Sequence, residues 1–287
     1  MTPAKKKTSH ANVLKWVFGT LLVIGAIFLL APLVYDHLQT QHEMQLARTY
    51  RKHLYPADEK RDALIRQYNA NRDAEQHHRR IPYPKATIQT IVKDQRIPIG
   101  NITIPSISLN VMPIYFGDSD EVLAKGTGVM PFTSLPAPGH RVTSSVTGHT
   151  GMANRIFFDN IRYMKPGDVF YLDVFAHRLA YKMTKRVVID PAKPDAVQHF
   201  YVQDNGNHAI LMTCTPIGIN DHRLLIYGKR ISLKAAAATK THPRAIFSLF
   251  NLWLYAMILL LIIVVLWWLW RWHKDRQAKR QAQEAEA

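Results

Sequence analysis

The lone cysteine of this 287-residue chain, Cys214, is the residue whose type and setting point most directly to chemistry. It lies in the apolar segment HAILMTCTP, in which Ile210, Met212 and Cys214 fall on one face of a predicted strand that ends at Pro216. A thiol at the end of a strand can act as a nucleophile if a proton-transfer partner and an oxyanion donor lie nearby. The alternative is an inert buried cysteine, which is the commoner role of a single free thiol.

His149 is the candidate proton-transfer partner. It follows the predicted strand RVTSSV and stands in the segment TGHTG, residues 147–151, with a glycine shortly before and after it. Glycine lets the backbone turn sharply, which leaves the imidazole accessible, and histidine is the side chain that exchanges protons near neutral pH. The chain has 14 histidines, so an ordinary surface or core histidine is the alternative.

Arg223 is the candidate donor to a developing oxyanion. It begins the strand that follows the loop 216–221, and Arg223, Leu225 and Tyr227 share one face of that strand. A hairpin would return Arg223 alongside Cys214, where a fixed guanidinium can hydrogen-bond a carbonyl oxygen that gains negative charge. The alternative is a solvated charge at the rim of the domain.

The elements that position these residues are predicted to be strands. From about residue 87 to 233, apolar residues recur with period two between turns of Gly, Pro, Asp and Asn, which is typical of an all-β barrel or sandwich. The clearest alternating residues are Ile102, Ile104, Ile107, Leu109, Val111, Phe170, Leu172 and Val174. A hairpin is predicted over residues 169–189, with its connection at 176–178.

The segment 36–86, which precedes the strands, is predicted to be a helical stalk or docking segment. It is polar, has one proline before residue 81, and carries a thin apolar stripe at helical spacing. The stripe consists of Leu46, Tyr50, Leu54, Leu64, Ile65 and Tyr68. The two prolines of IPYPK, residues 81–85, break the helix and mark the boundary of the strand-rich domain.

Two apolar runs, 13–35 and 246–270, are each long enough to span a bilayer, which needs about 20 residues. Basic residues precede the first run in the tail 1–12 and follow the second in the tail 271–287. The positive-inside rule therefore predicts a two-pass protein with both termini cytoplasmic and the domain between them extracytoplasmic. Residues 234–245 form the predicted linker to the second span. A cleaved signal peptide is the alternative for the first run.

The net charge of +16 invites a nucleic-acid interpretation, but much of it lies in the two tails and is explained by membrane topology. We therefore expect no nucleic-acid partner.

A single cysteine excludes an intramolecular disulfide and a structural zinc site built on several thiols. No metal site is predicted.

The segments TGHTG and TCTPIGINDHRLLIYGKR together resemble the sortases, the cysteine transpeptidases of the Gram-positive cell surface, and specifically the pilin-polymerising class C. The resemblance covers roughly residues 97–233, and the second apolar run is similar to the C-terminal anchor of class C. The other matching segments, in chain order, are GNITIP (100–105), MPIYFG (112–117), VLAKGTG (122–128), TSLP (133–136), IFFDNI followed by GDVF, and RVVIDP (186–191).

The resemblance implies a mainly β fold with a closed eight-stranded barrel over residues 87–233. It implies that Cys214 attacks an LPXTG-like sorting signal between Thr and Gly, that His149 transfers protons, and that Arg223 stabilises the oxyanion. Thr213 and Thr215 would line the oxyanion site or substrate groove. A Lys amine of a pilin subunit would resolve the thioacyl intermediate, so the implied partners are LPXTG-bearing precursors and the membrane, and no cofactor is needed.

The chain departs from the class C pattern in its lid. Class C enzymes usually carry an Asp-Pro-aromatic motif before the barrel, and residues 68–97 contain no such tripeptide. Tyr83 stands where a lid residue would be and is the predicted substitute. Three alternatives stay open: a housekeeping sortase that anchors surface proteins to a cell-wall precursor, a cysteine peptidase, and a membrane scaffold without catalysis.

Overall fold

The structure is a computed structural model that describes residues 19–20, 25, 56–150, 158–239, 241, 243 and 249–285. The first predicted span, 13–35, lies outside the described residues apart from three positions. The part of the predicted apolar stripe at residues 46–54 lies entirely outside them. The chain divides into two compact units, residues 1–244 and 245–287.

Eight strands of the first unit close into a barrel, as predicted. Around the barrel the order is β1-β2-β3-β4-β7-β8-β6-β5. The strands are β1 (Gly100–Ile104), β2 (Leu109–Phe116), β3 (Thr127–Val129), β4 (Val142–Thr147), β5 (Val169–Val174), β6 (His177–Ile189), β7 (Asn207–Thr215) and β8 (His222–Ile231).

Two strand pairs in the barrel are parallel, β2 with β3 and β4 with β7, and the other pairs are antiparallel. Parallel strands bring their carboxyl ends to the same edge of a sheet. The carboxyl end of β4, two residues before His149, therefore lies beside the carboxyl end of β7, which contains Cys214. The barrel interior is closely filled by apolar side chains that include Ile102, Leu172 and Leu211, each fully buried.

The predicted hairpin over residues 169–189 is present as β5 and β6, which pair from Val169 with Lys182 to Val174 with His177. The turn lies at Phe175 and Ala176 rather than at 176–178, and both residues have positive φ, 50° and 68°. Such a two-residue turn usually contains glycine or asparagine. Here the Phe175 ring is 1% exposed, so its burial offsets the cost of the left-handed backbone.

Helix α1 (Glu59–Gln76) precedes the barrel and packs on it through polar side chains. It begins at the N-cap Asp58, whose carboxylate accepts hydrogen bonds from the next backbone amides. Of the predicted stripe, Ile65 and Tyr68 are buried. The Tyr68 hydroxyl donates to the Pro131 carbonyl at 3.0 Å.

The remaining helices of the first unit are short and connect strands. They are α2 (Ile88–Ile91), α3 (Asp120–Leu123) and α4 (Leu233–Ala238), with 3-10 turns at Pro105–Ile107, Asp159–Tyr163 and Ala196–Phe200. Ala236 of α4 packs against Val169 and Ala180 on the outside of the barrel.

The second unit contains one long helix, α5 (Leu249–Ala285). Within it, Ala256–Ala278 is long and apolar enough to cross a membrane, and it is the one such segment among the described residues. It overlaps the predicted span 246–270. At its end the cations of Arg271 and Lys274 lie over the rings of Trp267 and Trp270, as expected for a helix that leaves an apolar phase.

Candidate active site

The hairpin of β7 and β8 places Cys214 directly opposite Arg223 in the antiparallel register. Residues that face each other across an antiparallel pair have Cβ atoms about 5 Å apart on the same side of the sheet. Cys214 is partly exposed, and Arg223 is partly exposed as well. The thiol and the guanidinium therefore share one outer face at the end of the barrel.

His149 reaches the same place through the parallel pair of β4 and β7. The register aligns Thr147 with Met212, and two hydrogen bonds continue it beyond the strand. The Gly148 N–H donates to the Met212 carbonyl at 3.1 Å, and the Thr213 hydroxyl donates to the Gly148 carbonyl at 2.8 Å. One step further, the same register aligns His149 with Cys214.

The His149 side chain is 29% exposed, and its Nε2 lies 3.8 Å from a carboxylate oxygen of Asp120 at the start of α3. Asp120 is fully exposed, so water screens the effect of its carboxylate on the imidazole. The Phe158 N–H donates to the His149 carbonyl at 3.3 Å. This bond holds the backbone of His149, while the segment 151–157 between these two residues lies outside the described part of the chain.

Arg223 is held by backbone carbonyls of its own loop. Its Nη1 donates to the Asn220 carbonyl at 2.9 Å and to the His222 carbonyl at 3.0 Å. The loop is itself closed by bonds from the Ile219 and Asn220 amides to the Pro216 carbonyl. The two bonds of Arg223 occupy one nitrogen of its guanidinium. They restrict the orientation of the whole group, because a guanidinium is a planar fork with five donors.

The other predicted site residues do not share the face of the thiol: Thr213 and Thr215 flank Cys214 on β7 and alternate with it, and Tyr83 precedes the barrel. Thr213 is 1% exposed. Because neighbouring residues of a strand point to opposite faces, its side chain points to the barrel interior, where its hydroxyl donates to the carbonyl of Gly148, the residue before His149. Thr215 is partly exposed at the end of β7.

Tyr83 is 46% exposed, and Asn71 of α1 holds its backbone through bonds at 2.7 and 2.9 Å. Among the described residues, no hydrogen bond or ring contact joins the Tyr83 side chain to Cys214, His149 or Arg223.

An apolar layer covers the outer face of the sheet next to the thiol. It consists of Met130, Ile189, Ala196, Phe200, Ile210 and Leu225, with Phe132, Val187, Met212 and Tyr227 packed against it. Ile189 pairs with Arg223 across β6 and β8, as Cys214 does across β7 and β8. The layer therefore begins in the row of residues that contains the thiol.

Two connections cover this layer: the β3–β4 connection, residues 130–141, and the β6–β7 connection, residues 190–206. The Phe132 and Phe200 rings join them in an edge-to-face contact with centroids 5.7 Å apart. A hydrogen bond of 2.8 Å between His199 Nδ1 and the Tyr227 hydroxyl ties the second connection to β8. Burial raises the pKa of Tyr227 to about 12, so the phenol stays protonated at neutral pH.

The positions of these two connections were not predicted from the sequence, and neither was the part that α1 plays in holding them. No group of three or more His, Cys, Asp or Glu side chains that could hold a metal ion occurs within the described ranges.

A closed eight-stranded barrel with a cysteine, a histidine and an arginine aligned at the ends of three strands is the arrangement expected of a sortase. The Sortase domain family matches residues 102–231. Sortase C from Clostridium perfringens is 33% identical, with a TM-score of 0.55, over 66% of this chain and 98% of that chain. Sortase C from Streptococcus pneumoniae is 30% identical, with a TM-score of 0.56, over 70% of this chain and 100% of that chain.

The chain belongs to the sortase family, whose members are cysteine transpeptidases, and its structural relatives are class C sortases. A curated relative, Sortase A of Bacillus anthracis, is 27% identical over 143 residues, or 50% of this chain. The match spans 64% of that relative's length.

Proposed function

We propose that this protein is a membrane-anchored transpeptidase that cleaves an LPXTG-like sorting signal between Thr and Gly and joins the Thr carbonyl to a Lys amine of a pilin subunit. The observation that carries the proposal is the strand register, because two independent strand pairings converge on Cys214. One pairs Cys214 with Arg223, and the other pairs Thr147 with Met212, each two residues before His149 and Cys214.

In the first half-reaction, the sulfur of Cys214 attacks the Thr carbonyl carbon. The S–C bond forms, the Thr–Gly C–N bond breaks, and the fragment that begins with Gly leaves as an amine. His149 protonates that amine, and the proton lost by the thiol balances the one gained by the leaving group. The product is a thioester, which retains the energy needed to form the next amide.

In the second half-reaction, a neutral Lys amine attacks the thioester carbon. His149 accepts the proton that the nitrogen loses, the C–S bond breaks, and the thiol is restored. The product is an isopeptide bond between two protein chains. Because one amide is exchanged for another, neither ATP nor a redox cofactor is required, and none is proposed.

Arg223 is proposed to stabilise the oxyanion in both half-reactions. Two carbonyl acceptors hold one of its nitrogens, so the guanidinium needs little reorganisation to direct another donor toward the carbonyl oxygen. The backbone N–H of Thr215 is the proposed second donor. Thr213 contributes indirectly, since its hydroxyl bond to Gly148 keeps the segment that carries His149 next to β7.

The choice of a pilin subunit as the acceptor rests on the class C relatives. The Streptococcus pneumoniae structure bears on pilin substrate specificity, and the Clostridium perfringens one was determined with the C-terminal cell wall sorting motif. The candidate span Ala256–Ala278 fits the C-terminal anchor of that class. The second candidate function is housekeeping anchoring to a cell-wall precursor, which the match to a Sortase A favours.

Two further proposals concern access to the site. Tyr83 is proposed to act as the lid residue in place of the missing Asp-Pro-aromatic motif; its backbone is fixed to α1 by Asn71 and its ring is half exposed. The catalytic unit is proposed to lie outside the cell, with both termini cytoplasmic and spans at 13–35 and 246–270.

The proposal is tested by incubating the enzyme with an LPXTG peptide and two competing acceptors, a pilin peptide with an internal Lys and a cell-wall-type peptide with a free α-amine. We expect an isopeptide product from the Lys peptide. Cys214→Ala should abolish it, His149→Ala should lower the rate about 10²–10⁴-fold, and Arg223→Ala about 10²–10³-fold.

The matched controls are His78→Ala and Arg96→Ala, which alter exposed side chains of the same types. Both should keep the parent rate. A product formed mainly with the free α-amine would support the housekeeping function, and a near-normal rate in Arg223→Ala would contradict its proposed role.

A further inference from the structure

Gln76, the last residue of α1, bridges two chain segments that lie outside the helix. Its side-chain Nε2 donates to the Phe132 carbonyl at 2.9 Å, and its Oε1 accepts from the Val202 N–H at 2.9 Å. Gln76 is only 8% exposed. A primary amide can donate and accept at once, so one side chain satisfies two backbone groups that the strands of the barrel leave unpaired.

The two bridged residues belong to the connections that cover the apolar layer. Phe132 lies in the β3–β4 connection, and Val202 in the β6–β7 connection. Gln76 therefore joins the same two segments as the Phe132 and Phe200 ring contact, but from the helix side. The ring contact and the amide bridge join the two connections near the apolar layer, and an exposed contact of 3.3 Å between His140 Nδ1 and the Asn205 carbonyl joins them farther from it.

The apolar layer that includes residues of these segments extends to within two residues of the thiol. Met212 packs against the apolar layer and precedes Cys214 by two residues on the same face of β7, a separation of about 6.6 Å along a strand. On β8, Leu225 belongs to the apolar layer and follows Arg223 by two residues on the same face. A change in the spacing of the two connections would change the surface against which an extended peptide lies as it reaches Cys214.

We propose that Gln76 is a positioning residue that fixes the spacing of the two connections and thereby sets the affinity for the sorting signal. The inference rests on the proposed function, since it names a determinant of substrate binding for the same site. Gln76 contacts neither the thiol nor the imidazole, so it should affect peptide binding more than the intrinsic reactivity of Cys214.

Helix α1 has other anchors that should keep it docked when the bridge is removed. The Asn69 side chain makes two bonds to the Leu135 backbone, at 3.0 and 2.8 Å, and the Asp73 carboxylate makes a two-pronged pair with Arg141 at 2.9 and 2.8 Å. A variant at Gln76 can therefore lose the bridge and retain the fold.

The test compares Gln76→Ala with Gln67→Ala in the full-length enzyme. Gln67 lies on the same helix, and its side chain makes no hydrogen bond among the described residues. Single-turnover acylation is measured against the concentration of an LPXTG peptide. We expect Gln76→Ala to raise the half-saturating concentration about tenfold with a maximal rate within about twofold, while Gln67→Ala matches the parent. Equal half-saturation in both variants would overturn the proposal.

A second readout does not depend on activity and separates the two proposals. Hydrogen exchange of the segments that contain Phe132 and Val202 should accelerate in Gln76→Ala and stay unchanged in Gln67→Ala. If the parent fails to react with the peptide but the exchange changes as expected, the bridge stands and the proposed function fails. Unchanged exchange would overturn the bridge whatever the activity.

Gln76→Glu provides a rescue that a general loss of stability would not imitate. A carboxylate can still accept from the Val202 N–H but opposes the Phe132 carbonyl, whereas a protonated carboxyl can donate to it. The half-saturating concentration of Gln76→Glu, divided by that of the parent at the same pH, should therefore fall as the pH is lowered. Gln76→Ala should show no such fall, and a flat ratio for Gln76→Glu would contradict the bridge.

Discussion

At the scale of single residues, the candidate site combines a thiol, an imidazole and a guanidinium, and hydrogen bonds fix the segment before the imidazole and the guanidinium itself. Gly148 and Thr213 hold the approach to His149, and the Asn220 carbonyl holds Arg223. Such fixed groups stabilise a developing charge without reorganising during the reaction. Backbone carbonyls thus restrict the orientation of the Arg223 guanidinium, one of the three side chains that the sequence indicated as candidates.

The exposed carboxylate of Asp120 offers a prediction at this scale. It lies 3.8 Å from His149 Nε2, beyond hydrogen-bond distance, and it is fully exposed. We expect Asp120→Asn to change the acylation rate by no more than about threefold, since exposed pairs contribute little. The pH profile of acylation should also keep its midpoints; a drop comparable to that of His149→Ala would show that Asp120 orients the imidazole.

At the scale of elements, α1 is attached to the barrel by polar groups that hydropathy patterns do not detect. The sequence predicted a helical docking segment from a thin apolar stripe, but most of its described contacts use the amides and carboxylates of Asn69, Asn71, Asp73 and Gln76. These contacts join residues far apart in the chain, so no local pattern could predict them. The barrel was predictable because alternation along each strand is a local property.

The pairing of the strands was less predictable than their existence. The register of the β7–β8 hairpin follows from its short connection, which is why Arg223 was expected beside Cys214. The parallel pairing of β4 with β7 joins strands separated by the whole β5–β6 hairpin. The position of His149 next to Cys214 was therefore implied by the family resemblance and not by the spacing of residues.

Asp73 gives a pH-dependent prediction for the docking of α1. Burial disfavours its charge, but hydrogen bonds from Arg141 and Arg79 outweigh this effect and hold the pKa of the carboxyl below its usual value. The resulting stabilisation is complete above the unfolded pKa of about 3.9 and is lost as the pH falls through the lower folded pKa.

We expect Asp73→Asn to lower the free energy of unfolding at pH 7 by about 1–2 kcal/mol, and the difference from the parent to shrink below about pH 4. Urea unfolding of a soluble segment, residues 37–241, measures it. Asp94→Asn is the matched control, because Asp94 forms an exposed pair with Arg96 and should have little effect at any pH. A constant difference down to pH 2 would contradict the assignment.

Gly228 in β8 gives a prediction about the barrel interior. A Cβ at this position would lie 2.5 Å from the Phe170 ring, which stacks on Tyr181. Gly228→Ala should therefore destabilise the protein by about 1–3 kcal/mol through overpacking. Phe170→Leu in the same chain should relieve the clash, so the double variant should lose less than the sum of the single losses in a thermal unfolding series. Additive losses would show that the ring is not the obstacle.

At the scale of the whole molecule, a barrel unit and a long apolar helix occur in one chain with basic residues at both ends. The proposed topology is tested with the single native cysteine. A membrane-impermeant maleimide should label Cys214 in intact cells. In a Cys214→Ser background, Ser9→Cys and Gln283→Cys should react only after permeabilisation. Labelling of either introduced thiol in intact cells would contradict the two-pass arrangement.

The most direct test of the central claim is the intact mass of the enzyme after incubation with an LPXTG peptide. The account predicts an added mass equal to the peptide up to and including its Thr, less one water. The adduct should be removed by hydroxylamine and absent from Cys214→Ala. A folded parent enzyme that forms no such adduct, even when Tyr83→Ala has removed the proposed lid, would contradict the assignment of Cys214 as the acyl carrier.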